Sequence, residues 1–415
     1  MEKVILAGIY KDEKFKKDAD YSLDELERLC NTDGAIAVDR VLQKRAAPDA
    51  AYFIGKGKAE EIKELVEKHQ ASAVVFDDIL KPVQQKNLEE ITGVKIVDRV
   101  RVILDIFAVR ARTKEGKLQV ERAEWTYQLA HLANKGVHLD SQTGGIGTRR
   151  GPGEKKLETD KRKIRDKIAE LDREIEKIKK RREIQRGARQ ASDLPEIAIA
   201  GYTNAGKSTL LKTLSKTNIY ADDKLFATLD PLTREIKLPG GRFVLLTDTV
   251  GFINKLPHDL VDAFKSTMEE ILRAKCVLHI VDASASNDER KKHIETVLSV
   301  LSEIGAQKIP RITVFNKADK LDNQEKSILN TPGACVISAS KGEGLDKMLS
   351  MIENIVMPKH EVYKIRLKYS KQSLLGKIYE LSNVKSEKWT KASIIIELEA
   401  SKENMSQIEN LLVKG

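Results

Sequence analysis

The sequence predicts a multidomain α/β protein built around a mostly parallel sheet, and three observations carry that reading. Residues 1–110 and 191–358 both alternate short apolar runs with amphipathic segments. Residues 111–190 carry helical periodicity and no strand pattern, and 359–415 hold two further strand–helix patterns. Strands that alternate with helices pair in parallel, because each crossover needs a helix to carry the chain back. At 415 residues the chain exceeds what one hydrophobic core serves. We therefore divide it into an N-terminal α/β domain (1–110), a helical hairpin (111–190), a larger α/β domain (191–358) and a small α/β appendage (359–415).

In the first domain Val4–Ile9, Ala35–Leu42, Ala73–Asp77 and Lys95–Asp98 read as strands. Ser22–Leu29, Ala59–His69 and Gln84–Ile91 read as helices, with Ser22 and Glu25 spaced as a capping box for the first. In the hairpin Leu157, Ile164, Ile168, Leu171, Ile175 and Ile178 recur at three-four spacing, the seam of a helix packed on one partner. The stretch through Trp125, Leu129 and Leu132 supplies that partner, in an antiparallel pair. Between them Thr143–Gly153 holds five glycines and a proline, too many for a helix, and forms the loop at the tip. Leu194-Pro195 then opens the larger domain. Its runs Ile197–Ala200, Phe243–Leu246, Cys276–Asp282, Arg311–Phe315 and Ala334–Ile337 are continuously apolar, as strands covered on both faces are. In the appendage, strands are expected around Tyr363–Lys368 and Ser393–Leu398.

The composition is 41% hydrophobic and 33% charged, which fits a globular chain. No run is long and apolar enough for a membrane span, and Met1-Glu2-Lys3-Val4 does not begin a signal peptide. Cys30, Cys276 and Cys335 are scattered, the latter two in apolar runs where thiols pack as small hydrophobes. A reduced, cytoplasmic, monomeric protein is expected. The seven histidines show no metal-ligand spacing. The net charge of +10 attracts polyanions, of which nucleic acid is the commonest.

The chemistry lies in the larger domain. Gly201-Tyr202-Thr203-Asn204-Ala205-Gly206-Lys207-Ser208 has the spacing of a phosphate loop, follows a strand and opens a helix at Thr209. Its backbone N–H groups and the helix N-terminus suit phosphates. Lys207 suits the β and γ phosphates, and the Ser208 hydroxyl suits magnesium. Asp248-Thr-Val-Gly251 ends the second strand, so Asp248 can reach magnesium through water and the Gly251 N–H can meet a γ phosphate. Asn316-Lys317-Ala-Asp319 ends another strand, and a carboxylate at Asp319 can accept both the N1 and N2 protons of guanine. Ser338-Ala339-Ser340 follows the last strand and can offer an N–H to guanine O6. Four such motifs at successive strand ends indicate a P-loop GTPase with its ligand outside the carboxyl edge of the sheet, GTP and GDP being substrate and product.

Thr228 in Phe226-Ala-Thr-Leu-Asp-Pro231 is the first choice for the threonine that closes on magnesium, with Thr233 the alternative. Lys207, Thr228 and Gly251 form the expected catalytic set. Phe252 stands where many small hydrolases carry a glutamine that orients water, so help must come from elsewhere. Asn204 either ligates a potassium ion near the phosphates or pins a switch by hydrogen bonding. From Arg149 to Arg189 basic residues outnumber acidic ones by about two to one. Arg149, Arg150, Lys155 and Lys156 flank the glycine-rich loop, a basic tip suited to an RNA groove. Gly55-Lys56-Gly-Lys58, at a strand-to-helix turn, could touch RNA, hold a second nucleotide or be a tight turn.

With these motifs in place the chain resembles the HflX family of translational GTPases over nearly its full length. Gly144–Asp160 is similar to that family's glycine-rich loop and following helix, Phe226–Arg234 and Asp248–Phe252 to its switches. Asp39–Lys44 with Tyr52–Lys58 resembles a segment of its first domain. Lys155-Lys156 stands where the family often has Thr-Gln, and Leu232 where it has threonine. Phe252 agrees with a family that lacks the catalytic glutamine. The resemblance implies a GTPase stimulated by the large ribosomal subunit, its first domains near ribosomal RNA of the peptidyl-transferase centre, which splits stalled or idle ribosomes under stress. A GTPase of tRNA or rRNA processing and a non-enzymatic RNA-binding module are the alternatives. Intact Lys207, Ser208, Asp248 and Asp319 weigh against the second.

Overall fold

The protein is described here from a computed structural model, which covers residues 2–139, 152–189, 194–215, 225–226, 228–255, 265–357, 360–390 and 392–414. The chain forms two compact units, Met1–Ile236 with Phe243–Gly344, and Lys237–Arg242 with Leu345–Gly415.

The first unit opens with strands β1 (Glu2–Tyr10), β2 (Ala35–Lys44), β3 (Ala73–Phe76) and β4 (Lys95–Asp98). They form one sheet in the order β2-β1-β3-β4 with every pairing parallel. Successive side chains face opposite ways, so the apolar run of β1 serves two cores. Ile5 and Ala7 pack with Val74, Phe76, Ile62 and Leu88, against helices Lys56–His69 and Pro82–Thr92. Val4 and Leu6 pack with Val75, Leu23, Leu26, Ile103 and Phe107, against helices Lys16–Asp33 and Arg99–Arg110. Pro82 takes the first helical position, where its missing N–H costs nothing, and Gln84 accepts from the Lys81 N–H at 2.8 Å.

The first helix corrects the sequence reading. It begins at Lys16 and not at Ser22, because Lys16–Asp20 continue it as a polar turn that carries no apolar signal. Ser22 and Glu25 therefore lie inside the helix, both buried, and cap nothing.

Helices Lys114–Leu139 and Pro152–Arg189 pack side by side. Ion pairs Lys114–Glu174, Arg122–Asp172 and Glu121–Lys167 run in opposite chain directions, so the pair is antiparallel. Ile164 and Leu171 are buried, as are Val120 and Ala123 on the partner helix. The tip segment with Arg149 and Arg150 lies outside the described residues, as do the side chains of Lys155 and Lys156.

The second sheet of this unit holds β5 (Glu196–Gly201), β6 (Leu232–Lys237), β7 (Phe243–Asp248), β8 (Cys276–Asp282), β9 (Arg311–Asn316) and β10 (Ala334–Val336). Their order is β10-β9-β8-β5-β7-β6, and the pairs β5–β7, β5–β8, β8–β9 and β9–β10 are parallel. Strand β6 is additional to the strands read from the sequence. It is an edge strand whose apolar signal is confined to Leu232 and Ile236.

The second unit holds an antiparallel sheet of β11 (His360–Lys368), β12 (Asn383–Trp389) and β13 (Ser393–Ser401), in the order β11-β13-β12. Its core is Ile365, Leu367, Ile378, Ile394, Ile396, Leu398 and Ile408. The sequence indicates two strands there; β12 carries little signal because Asn383–Trp389 is mostly polar. Among the described residues no helix is long and apolar enough to cross a membrane. The three cysteines are buried and form no disulfide.

Candidate nucleotide-binding site

The carboxyl ends of β5, β7 and β9 converge on a cleft of about 280 Å³. Its walls run from Thr203, Asn204 and Lys207 through Ser208, Thr228 and Gly251 to Asn316, Asp319 and Ser340. Lys317 and Ala339 line it too, whereas Gly201, Tyr202, Ala205, Asp248 and Ser338 stand behind its walls.

At the floor, Gly206 has a left-handed φ of 92°, and a Cβ there would stand 2.2 Å from Asn316 Nδ2. Only glycine lets the loop close onto the end of β9. Lys207 is buried, and its ammonium donates to the carbonyls of Gly201 (3.1 Å) and Tyr202 (2.8 Å). Burial pushes its pKa down to about 8, against the pull of the Asp248 carboxylate. Asp248 is fully buried, and that burial holds its carboxyl above the usual range, opposed by Lys207 and the Ser208 hydroxyl. Ser208 Oγ donates to Asp248 Oδ2 at 2.7 Å and stands 2.7 Å from Thr228 Oγ1. Asp248 Oδ1 is buried with no hydrogen-bond partner.

Thr228 is thus the threonine that comes to Ser208. Thr233 lies on β6 and meets Thr247 Oγ1 at 2.9 Å. Gly251 closes over the loop so tightly that a Cβ would stand 2.8 Å from Thr203 Cγ2 and 2.9 Å from Lys207 Nζ. Phe252 pairs by backbone with the loop edge, its N–H donating to Gly201 O (3.1 Å) and its carbonyl accepting from Thr203 N–H (2.8 Å). The Phe252 ring packs with Ala198, Met268 and Ile271. The position that carries a glutamine elsewhere is here an anchor in the core.

At the other end Asn316 clamps two loops, donating from Nδ2 to Ala205 O (2.8 Å) and accepting at Oδ1 from Ala339 N–H (2.9 Å). Asp319 is exposed in the cleft. Its carboxyl accepts from the Ser338 hydroxyl at 2.5 Å, which holds it below the usual carboxylate range. Lys317 turns away to an ion pair with Asp282 at 2.7 Å. Asn204 has a left-handed φ of 59°, and its side chain is exposed without a hydrogen-bond partner among the described residues.

The lysine-bearing turn of the first domain lies apart from this cleft. Gly55 N–H donates to Gln43 Oε1 at 2.8 Å and Lys58 pairs with Glu61 at 2.6 Å, while Lys56 is exposed. The Gly55 N–H is therefore already satisfied by a protein group, while the helix that starts at Lys56 has no side-chain cap.

Sequence reasoning missed what holds the cleft from outside. Phe226 stacks edge-on against Phe107 of the first domain at 4.6 Å. Leu225, Leu229, Val250 and Ile253 join the core under β1 and β3. Asp230 accepts from the N–H groups of Arg112 (3.0 Å) and Thr113 (2.9 Å) at the start of the hairpin. Both segments that flank the cleft are therefore packed on the N-terminal domain.

A parallel sheet with a phosphate-loop motif at one strand end and the Asn316-Lys-Ala-Asp319 motif at another defines the P-loop GTPase class. Three family models match along the chain: GTP-binding GTPase N-terminal over residues 20–108, GTP-binding GTPase Middle Region over 110–189, and 50S ribosome-binding GTPase over 196–317. GTPase HflX of Caldanaerobacter subterraneus subsp. tengcongensis is 45% identical over 396 residues, 94% of this chain and 90% of its own. That of Lacrimispora saccharolytica is 47% identical over 378 residues, 91% and 88% of the two chains. That of Escherichia coli is 41% identical over 392 residues, 93% and 90% of the two. The chain belongs to the HflX family of GTPases, and it binds and hydrolyses GTP.

Proposed function

We propose that this GTPase works on the large ribosomal subunit as a cytoplasmic monomer and splits stalled or idle ribosomes under stress. The match of residues 196–317 to a family described as 50S ribosome-binding GTPase carries this reading. The net charge of +10 and the excess of basic residues along Arg149–Arg189 support it, since ribosomal RNA is a polyanion. Arg149, Arg150, Lys155, Lys156 and exposed Lys56 are the proposed RNA contacts near the peptidyl-transferase centre. Lys58 is the weaker candidate, being paired with Glu61.

In the cleft, Gly201 to Thr209 cradle the phosphates of GTP or GDP, and Lys207 neutralises the β and γ groups. Ser208, Thr228 and Asp248 hold magnesium. Among the described residues no three His, Cys, Asp or Glu side chains cluster into a metal cage. Two hydroxyls and one carboxylate with an unpaired oxygen are instead a set suited to an ion that completes its shell with water and phosphate. Bound there, the ion neutralises charge on the phosphates. Gly251 N–H meets the γ phosphate, Asp319 reads guanine N1 and N2, and the Ser338–Ser340 loop faces O6, with Asn316 and Lys317 as its neighbours. Asn204, exposed at the mouth, is the proposed ligand of a potassium ion. Since Phe252 is locked in the core, the group that promotes attack of water comes from the ribosome.

The test is co-sedimentation with purified large subunits across a salt series. Replacing Arg149, Arg150, Lys155 and Lys156 by alanine should weaken binding and flatten its salt dependence. Unchanged binding would remove the loop from the contact, and no sedimentation of the parent protein would remove the ribosome itself.

A further inference from the structure

Behind the cleft, the N-terminal domain meets the GTPase core through a buried charge cluster that nucleotide binding does not use. Glu25, Asp77 and Arg99 are each at most 3% exposed. The Arg99 guanidinium donates to Glu25 and, at 2.8 Å, to Asp77, while Ser22 Oγ donates to Asp77 at 2.6 Å. Two carboxylates against one guanidinium leave a net negative charge in the interior. The second cation comes from across the interface: Lys255 bonds Asp77 and, at 3.0 Å, Asp78. Lys255 stands four residues beyond Gly251, on the segment proposed to meet the γ phosphate.

The second link is Tyr202, inside the phosphate loop. Its side chain lies outside the lining of the cleft, stacked on His293 at 3.8 Å and 18°. The Tyr202 hydroxyl donates to Glu25 and accepts the Asn254 N–H at 2.8 Å. One oxygen thus joins a carboxylate of the first domain to the backbone three residues after Gly251. Buried charge tolerates no loss of a partner, because the carboxylate left behind has no water to replace it. If the segment of Asn254 and Lys255 withdrew, Asp77 would lose its second cation and Tyr202 its donor together.

We infer that Glu25 and Asp77 are positioning residues of the GTPase centre, holding through Tyr202 and Lys255 the segment that carries Gly251. This rests on the proposed meeting of Gly251 with the γ phosphate and not on any ribosomal partner. A residue of the first helix thereby sets the rate of a reaction carried out 177 positions along the chain and beyond.

The test is intrinsic GTP hydrolysis and GDP affinity of full-length Tyr202→Phe and Lys255→Met, with Glu25→Gln and the double variant Tyr202→Phe/Glu25→Gln. Tyr202→Phe keeps the ring and its stacking. It should lower kcat about tenfold, with KM for GTP and the Kd of GDP changed less than twofold, because GDP lacks the γ phosphate that Gly251 is proposed to meet. Lys255→Met should do the same, and the double variant should be no slower than Tyr202→Phe alone. A kcat equal to or above the parent's in both single variants would overturn the inference. So would a loss of GDP affinity in step with kcat, the sign of general loosening. Should Glu25→Gln fail to fold, the Tyr202 and Lys255 variants decide by themselves. Gly251→Ala run in parallel separates the two readings: undiminished hydrolysis there would sink the γ-phosphate assignment, whereas its loss beside an unaffected Tyr202→Phe sinks the positioning role alone.

Discussion

Ser208 and Asp248 share a hydrogen bond of 2.7 Å between residues 40 positions apart, the first at the start of the phosphate-loop helix and the second at the end of β7. The same serine oxygen meets Thr228, so two hydroxyls and a carboxylate converge on one point. The buried, unpaired Oδ1 of Asp248 gives that cluster an acceptor suited to a hard cation.

Asp248→Asn should therefore cost hydrolysis far more than binding. We expect kcat to fall by about a hundredfold or more, in line with removal of one charge-stabilising group from a reaction centre. GDP affinity measured in EDTA should stay within a few-fold of the parent's. A variant that hydrolyses GTP at the parental rate in magnesium would remove Asp248 from the metal.

Lys207 gives a pH dependence whose sign follows from its burial. In the free protein its pKa lies at about 8, and phosphates in the cleft raise it. A group raised by its ligand binds that ligand fully below its free pKa and loses it as pH rises. Nucleotide affinity should be flat below pH 8 and fall by about tenfold per pH unit above it, with proton uptake on binding. Calorimetry at about pH 8.5, half a unit above that pKa, in two buffers of different ionisation enthalpy reads that uptake. Equal heats in the two buffers would mean that Lys207 is already charged.

Asp319→Asn should weaken GTP and favour xanthine nucleotides, since the new amide offers a donor where guanine also has donors. Competition between GTP and XTP for the variant reads the change. Retained preference for GTP would place guanine elsewhere.

Phe252 belongs to stability. With the ring 2% exposed among Ala198, Met268 and Ile271, Phe252→Ala should cost about 3–5 kcal/mol in chemical denaturation. Phe252→Gln should also destabilise and should not speed intrinsic hydrolysis. A faster glutamine variant would show that the side chain can turn towards the cleft.

Much of this molecule is legible in its sequence. The phosphate loop and the motifs at Asp248 and Asn316 depend on local backbone at strand ends, so spacing alone reveals them. Strands β6 and β12 stay hidden because edge positions tolerate the polar pattern of Thr-Arg-Glu and Lys-Ser-Glu. The charge cluster is illegible for a different reason. Ser22 and Glu25 look like a helix cap in isolation, and only the fold shows Arg99 arriving from 74 residues away and Tyr202 from 177. One signal is present: Arg99 stands at helical spacing before Val102, Ile103, Ile106 and Phe107, on the apolar face of its helix, and a charge there needs a partner.

A GTPase whose water-orienting glutamine is replaced by a core phenylalanine needs an activator, and the large ribosomal subunit is its proposed source. Steady-state GTP hydrolysis in potassium buffer, with and without purified large subunits and with ATP in parallel, decides the matter. Strong stimulation of GTP turnover by the subunit is expected, with ATP turnover unchanged. A slow GTP rate indifferent to added subunits would refute the ribosome as activator.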